Sequence, residues 1–353
     1  MKTMFDIRQL AERVHEIQQQ KEDFISNTRQ LALYDGGAEG LKISMKTAEG
    51  ERQFGINDHA HGQISGRLDI PRKYYNRLKD TSPALLSANV NHWFAREPEN
   101  RMVRTIGGVA RAFLSDRYMR VENEQIAEVA LPILAEIPDV RFESCAITET
   151  NMYIKAVAPR LQGEVRVGDI VQAGVSLRNS EVGAGAVVIQ PFVYRLVCKN
   201  GAMVNDSRFR ANHVGARITT DEQFAGMLSD EAIAADDHAL LLRFRDVLRG
   251  MLTQEFFDAC VGKMRDATED RMTGDIPATV NAYAKSVSLS QNEESGVLRH
   301  LIEGGDLSRY GLMNAVTRFS QDVEKYDRAH ELEVIGGAVI DLPRSKWREL
   351  VAA

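Results

Sequence analysis

Residues 164–199 read EVRVGDIVQAGVSLRNSEVGAGAVVIQPFVYRLVCK. Two runs rich in Val, Ile and Leu, 164–178 and 185–199, flank the polar, glycine-bearing NSEVGAG. Branched side chains suit a pleated, half-buried surface, so the two runs are expected to pair as antiparallel strands around that loop. Pro191 has no N–H to give a ladder and should bend the second run. Asn200-Gly201 should end it. The middle of the chain is therefore β-structured.

Upstream of this core, Phe5, Ile7, Leu10, Val14 and Ile17 recur near the helical period and predict a helix over 4–22. LKISMKT (41–47) alternates apolar and polar residues, and 52–56 should return as its partner strand. Asn57 is a suitable N-cap for a short helix, and Pro71 suits the first turn of the next. Residues 84–96 form a third helix. Runs 102–106 and 109–114 should make a hairpin about Gly107-Gly108. Residues 122–137 read as a helix that Pro132 kinks or breaks. A second hairpin is expected within 140–158.

Downstream, 229–249 and 253–269 carry matching apolar stripes and are expected to pack on each other as a helical hairpin. Shorter helices follow at 296–303, 307–320 and 343–351, with Gly336-Gly337 separating or bending elements. The fold class is α+β: an antiparallel, β-rich N-terminal and central domain with an α-helical C-terminal region. The expected division is a helix and linker over 1–40, an α+β domain over 41–220, and a mostly helical region over 221–353.

The 353 residues suffice for a substantial core without staples. No apolar stretch approaches the roughly 20 residues that span a bilayer, and MKTMFDIRQLAERVHEIQQQ has no apolar signal core. Three scattered cysteines, Cys145, Cys198 and Cys260, suggest reduced thiols and a cytoplasmic setting. The net charge of −6 argues against coating nucleic acid by bulk charge. The charge is uneven: −9 over 221–353 and +3 over 1–220, with basic windows at 67–79, 101–120 and 195–217.

Chemistry-bearing motifs are sparse. His59-x-His61 beside Asp58 diverges on a helix and does not make a metal site. No phosphate-binding P-loop and no nucleophile elbow occurs. Asp116 with Arg117 is the one acidic pairing to consider for a nuclease. No enzymatic activity, metal or cofactor is expected. HGQISGRLDIPRKYYNRL (61–78) has the outline of a helix-turn-helix whose second helix would offer Arg72, Lys73, Asn76 and Arg77, though ordinary packing yields the same pattern.

PFVYRLVCKNGAMVNDSRFRANHVGAR (191–217) is the most informative run. It intersperses arginines with an aromatic residue, a combination that holds phosphates and stacks on bases. Together with the second basic window it nominates Arg111, Arg117, Arg195, Lys199, Arg208, Arg210 and Arg217 as phosphate contacts, and Tyr118, Tyr194 and Phe209 as stacking residues.

GINDHAHGQISGRLDIPRKYYNRL (55–78), ARAFLSDRYMRVEN (110–123), GDIVQAGVSLRNSEVGAGAVVIQPFVYRLVCKNGAM (168–203) and RYGLMNAVTRFSQ (309–321) resemble the phage/plasmid-like proteins grouped as domain of unknown function 932. P-x-V-Y-R-L-V-C-x-N-G is the most specific part of the resemblance. It implies a gene of a mobile element and transfers no catalytic residue. A weaker, architectural likeness is to single-strand annealing proteins. The functional expectation is a mobile-element accessory protein that binds nucleic acid without NTP hydrolysis, in annealing or recombination. Single-stranded DNA, further copies of the chain, and a host or phage protein are its candidate partners. The alternative is an oligomeric interaction protein acting through its acidic helical region.

Overall fold

A computed structural model describes residues 1–47, 49–198, 200–204, 209–211 and 230–352. Two six-stranded sheets, each dressed with helices, confirm the α+β class.

The first sheet contains β1 (Lys21–Asn27), β2 (Leu31–Asp35), β3 (Leu41–Thr47), β4 (Gly50–Ile56), β5 (Asn100–Ile106) and β6 (Val109–Ser115), in the order β1-β5-β6-β4-β3-β2. All pairs are antiparallel except β4 with β6. Between β4 and β5 the chain forms α2 (Asp58–Arg67), α3 (Arg72–Thr81) and α4 (Pro83–Arg96). Asn57 caps α2 through the Ala60 N–H. These helices cover one face of the sheet, where Leu33, Ile43, Phe54, Val103 and Phe113 meet Ile64, Tyr75, Leu86, Val90 and Phe94.

The first 40 residues are not a helix and linker. After α1 (Ile7–Gln20), β1 and β2 supply both edges of this sheet. LALYD alternates inward Leu31 and Leu33 with outward neighbours. KEDFISN instead turns Lys21 and Asp23 inward, which reads as a solvated stretch until its partners on β5 are in place.

The second sheet runs β11-β10-β9-β8-β7, from β7 (Arg141–Ile147), β8 (Met152–Glu164), β9 (Ile170–Asn179), β10 (Val187–Arg195) and β11 (Asn200–Met203), with β12 (Phe209–Ala211) also on β10. β9 and β10 pair antiparallel around NSEVGAG, as expected. Two boundaries differ. The 164–178 run is divided by a turn at 165–169, closed by Val165 N–H on Asp169 O at 3.1 Å, so Glu164 ends β8. The 185–199 run ends at Arg195, which places Cys198 in the following turn. Pro191 stays within β10, where the outer partner changes from β12 to β11 and no ladder N–H is required.

One face of this sheet is apolar. At one end Val175, Leu177 and Ile189 pack on α1, α5 (Asn123–Ala135) and α6 (Asp230–Gly250). At the other, Val171, Ala173, Val193 and Ala202 share a core with α7 (Gln254–Glu269), α8 (Ile276–Ser286), α9 (Gln291–Gly304), α10 (Arg309–Phe319) and α12 (Arg344–Val351). The expected hairpin of 229–249 on 253–269 therefore does not form. Phe244 and Leu248 of α6 enter the first core, and Phe257 and Met264 of α7 enter the second.

α11 (Tyr326–Ala338) lies against the opposite face, beside Tyr153, Lys155 and Phe192. Gly336-Gly337 sits inside this helix and does not break it. A Cβ on Gly337 would fall 1.7 Å from Met203 O, so the glycine lets helix and strand backbones touch. No helix among the described residues is long and apolar enough to cross a membrane.

Candidate functional site

The two sheets meet at the β9–β10 loop. Val182 of that loop packs on Met102, Ala112 and Leu114, on the face of the first sheet opposite its helices. Three side chains hold the carbonyls of Ser180 and Val182. Tyr118 O–H donates to Ser180 O at 2.9 Å. Val182 O accepts from His59 Nε2 at 2.8 Å and Gln63 Nε2 at 2.7 Å. Gly183 has φ +75°, and a Cβ there would meet Leu114 Cδ2 at 2.5 Å, so glycine alone fits.

Around the loop, three cations face three carboxylates. Arg104, fully buried, forks onto Asp23 at 2.8 and 3.0 Å, donates to Glu122 at 2.5 Å and to Glu181 O at 2.8 Å. Lys21 Nζ bridges Glu122 at 2.6 Å and Glu181 at 3.5 Å. Arg111 Nη2 lies 2.8 Å from Glu181 Oε2. Burial alone would raise the Glu181 pKa, but Arg111, Lys21 and the Asn123 N–H outweigh it and hold it down to about 2. Beside this network lies a cavity of about 220 Å³, lined by α1, the N-terminal end of α2, the β7–β8 turn and the β9–β10 loop.

Among the described residues nominated from sequence, Arg111 and Tyr118 both reach the β9–β10 loop, but the set as a whole does not converge. Arg111 and Arg195 sit in different sheets and line different cavities. Each is neutralised from within: Arg195 forks onto Asp169 at 2.6 and 2.9 Å and donates to Cys198 Sγ at 3.1 Å. Asp169 also accepts from Tyr310 at 2.9 Å. Tyr194 is buried, and burial with Glu143 beside it pushes its phenol up to about 12. Tyr118 spends its hydroxyl on the loop. Arg117 is exposed. Lys199, Arg208 and Arg217 lie outside the described residues. Phe209 and Arg210 belong to β12, whose backbone alone is described.

His59 and His61 turn to different partners, Val182 O and the Tyr75 hydroxyl at 2.9 Å. Among the described residues no group of three or more His, Cys, Asp and Glu is arranged to hold a metal. None of the three cysteines, all of them among the described residues, forms a disulfide.

α3 distributes its charges between packing and solvent. Arg72 donates to Asp58 O at 2.9 Å and Lys79 pairs with the Asp58 carboxylate at 2.8 Å, fastening α3 to the start of α2. Lys73, Tyr74 and Arg77 face outward, with Tyr74 49% exposed. Spaced i, i+1 and i+4, they share one helix face.

A second buried ionic group was invisible in sequence. Lys155 of β8 pairs with Glu333 of α11, both nearly without exposure. Burial, with Lys155 and Arg178 nearby, drives the His330 pKa well below its usual value. Asp327 accepts from Tyr153 at 2.7 Å and Thr148 at 3.0 Å. These contacts lock α11 to the sheet.

The family described as Domain of unknown function (DUF932) matches residues 112–331, and the chain belongs to that family. No curated protein and no solved structure matches the chain.

Proposed function

We propose that this member of the DUF932 family binds nucleic acid, single strands in particular, and does so by backbone and stacking contacts without NTP chemistry. The observation that supports this reading is the outward face of α3, where Tyr74 stands exposed between Lys73 and Arg77. An aromatic ring flanked by uncommitted cations offers a base a stacking surface and its phosphates a counter-charge. The helix holds four Lys and Arg against one carboxylate, Asp80. In a chain of net charge −6, such local focusing is required for a polyanion to approach. Arg117 is the one residue of the original set that remains exposed with its side chain described. Annealing or recombination of a mobile element's DNA, in the cytoplasm, is the setting this reading fits.

Fluorescence anisotropy with a labelled single-stranded oligonucleotide over a salt series tests it. Binding should weaken with salt, and Lys73→Ala with Arg77→Ala should reduce the log–log slope by about 1.4, at roughly 0.7 per phosphate contact. Tyr74→Ala should weaken binding by about 1–3 kcal/mol with little change of slope. Absence of binding at low salt, or an unchanged slope in the folded double variant, overturns the reading and favours a protein partner for this surface.

A further inference from the structure

Arg271, Arg344 and Arg348 line one cavity of about 380 Å³, between the C-terminal end of α7, the loop 270–273 and α12. All three side chains are exposed, so their donors are open to solvent and to a ligand. Arg344 and Arg348 stand four residues apart and share one face of α12. Neither guanidinium has a hydrogen-bond or ion-pair partner among the described residues. Like charges one turn apart repel, and an anion held by both turns that repulsion into attraction. Thr273 adds an exposed hydroxyl to the lining.

The backbone carrying these groups is anchored on both sides. Trp347 and Leu350 hold α12 in the second core. Arg309, 6% exposed, donates to Leu342 O at 2.8 Å and pairs with Asp270 at 2.9 Å, which ties the approach to α12 to the loop. Two carboxylates also line the cavity. Asp270 is answered by Arg309, whereas Glu269 is exposed and makes no ion pair among the described residues. Against that one negative charge stand Arg344, Arg348 and Arg271, whose partner Asp306, at 3.2 Å, is also held by Arg166 at 3.0 Å. The surplus is two positive charges, local to a region that carries −9 over 221–353. A dianion matches that surplus, and guanidinium forks match the oxygens of a phosphate group. The volume lies within the roughly 300–1,000 Å³ of small-molecule sites, so a phosphate does not fill it alone and an ester group shares the space.

We propose that this cavity binds a phosphomonoester, its phosphate held by Arg344 and Arg348 with Arg271 as the third cation. The group is carried by a small phosphorylated metabolite or by the phosphorylated end of a nucleic-acid strand. The site lies in the helical layer of the second sheet, apart from α3, and does not depend on the reading of that surface.

Isothermal titration calorimetry of the full chain with ribose 5-phosphate tests the assignment, at about pH 8, above the second phosphate pKa of roughly 6, and at fixed ionic strength. Ribose 5-phosphate should bind at millimolar concentration or below. Ribose should not bind, and sulfate, which has the charge but no ester group, should bind more weakly. Arg344→Ala with Arg348→Ala should weaken binding at least about tenfold, by removing two charge-assisted contacts. Both residues are exposed and unpaired, so the variant should melt as the parent does. Restoring the charge with Arg344→Lys and Arg348→Lys should recover part of the affinity, without the forked geometry. Glu269→Gln should tighten binding, because it removes the one unanswered negative charge; a merely structural role for Glu269 predicts no gain. The Lys73→Ala, Arg77→Ala protein should keep the response, so failure of the α3 reading is distinguishable from failure here. If the group arrives on a strand, a 5′-phosphorylated oligonucleotide should displace ribose 5-phosphate and its 5′-hydroxyl counterpart should not. If the ligand is a small metabolite, neither displaces it. No binding of ribose 5-phosphate at millimolar concentration, equal binding of ribose or sulfate, or unchanged affinity in the folded Arg344→Ala, Arg348→Ala protein overturns the proposal.

Discussion

Arg111 Nη2 stands 2.8 Å from Glu181 Oε2, and the same carboxylate also takes the Asn123 N–H at 2.8 Å. A guanidinium that the sequence offers to a phosphate is thus committed to holding a loop between two sheets. Glu181→Ala would leave Arg111 and Lys21 facing each other across the loop without their shared anion. Breaking a buried ionic group by removing one partner typically costs about 3–5 kcal/mol. Urea denaturation should show a loss of that order, with Glu181→Gln falling between the variant and the parent because it keeps an acceptor for Asn123. An unchanged midpoint in Glu181→Ala would show that the network does not fasten the loop.

Lys155 and Glu333 make a cleaner test of the same physics, since both are sealed between β8 and α11. Lys155→Met should lose about 3–5 kcal/mol, because Glu333 is left buried and unpaired. Adding Glu333→Leu should recover most of that loss, because the second charge then no longer needs solvation. Equilibrium unfolding of the two single variants and the double variant closes the cycle. Additive losses would contradict a direct pairing.

Stability should fall with acid in two stages. Burial, with Lys79 and Arg72 close by, lowers the His61 pKa from 6.5 to about 4. The folded state therefore binds fewer protons than the unfolded chain across that interval. This stability is complete above about pH 6.5 and is lost as pH falls to 4, amounting to about 3 kcal/mol. His330, held neutral in the same way, adds to this stage. Glu181, lowered from 4.5 to about 2, contributes stability that is present above 4.5 and lost on descent to 2. Denaturation midpoints across pH 7 to 3 check both stages, and His61→Gln should flatten the first.

Local pattern carried much of this fold, and the failures share one cause. The β9–β10 hairpin, the three helices after β4 and the β5–β6 hairpin were legible because alternation, Asn57, Pro71 and Gly107-Gly108 act on immediate neighbours. β1 was missed because its inward residues, Lys21 and Asp23, are satisfied by Glu122, Glu181 and Arg104, all far along the chain. The signs of the arginine charges were legible, but not that Glu181 and Asp169 would consume them. The cation-and-tyrosine face of α3 was visible as a helix pattern; which of its charges reach solvent was not.

Gly337 shows the same limit at one residue. Glycine disfavours helix by roughly 1 kcal/mol relative to alanine, which is why it reads as a break. Here it allows α11 to touch β11. Gly337→Ala would place its Cβ 1.7 Å from Met203 O, a backbone atom that cannot rotate away. Overpacking of this kind costs about 1–3 kcal/mol or more, against a gain of about 1 kcal/mol in helix propensity. Thermal melting should therefore show a net loss. A stabilised Gly337→Ala would mean that α11 does not lie against Met203.

The division between committed and free cations can be measured directly. Arg195→Ala removes both hydrogen bonds to Asp169 and leaves that carboxylate, 8% exposed, with the Tyr310 hydroxyl as its remaining side-chain donor. The pair is only partly buried, so a loss of about 2–3 kcal/mol is expected, below the range for a fully enclosed pair. Because its guanidinium already faces an anion, Arg195 releases no condensed counterion from a nucleic acid, and the salt slope of oligonucleotide binding should not change. Lys73→Ala with Arg77→Ala should do the reverse: both residues are solvated and on a helix surface, so stability should hold within about 0.5 kcal/mol while the slope falls. Paired denaturation and anisotropy series on the two proteins check this crossing pattern. If Arg195→Ala lowers the slope and keeps its stability, then Arg195 is available to phosphate and Asp169 is not its partner in solution.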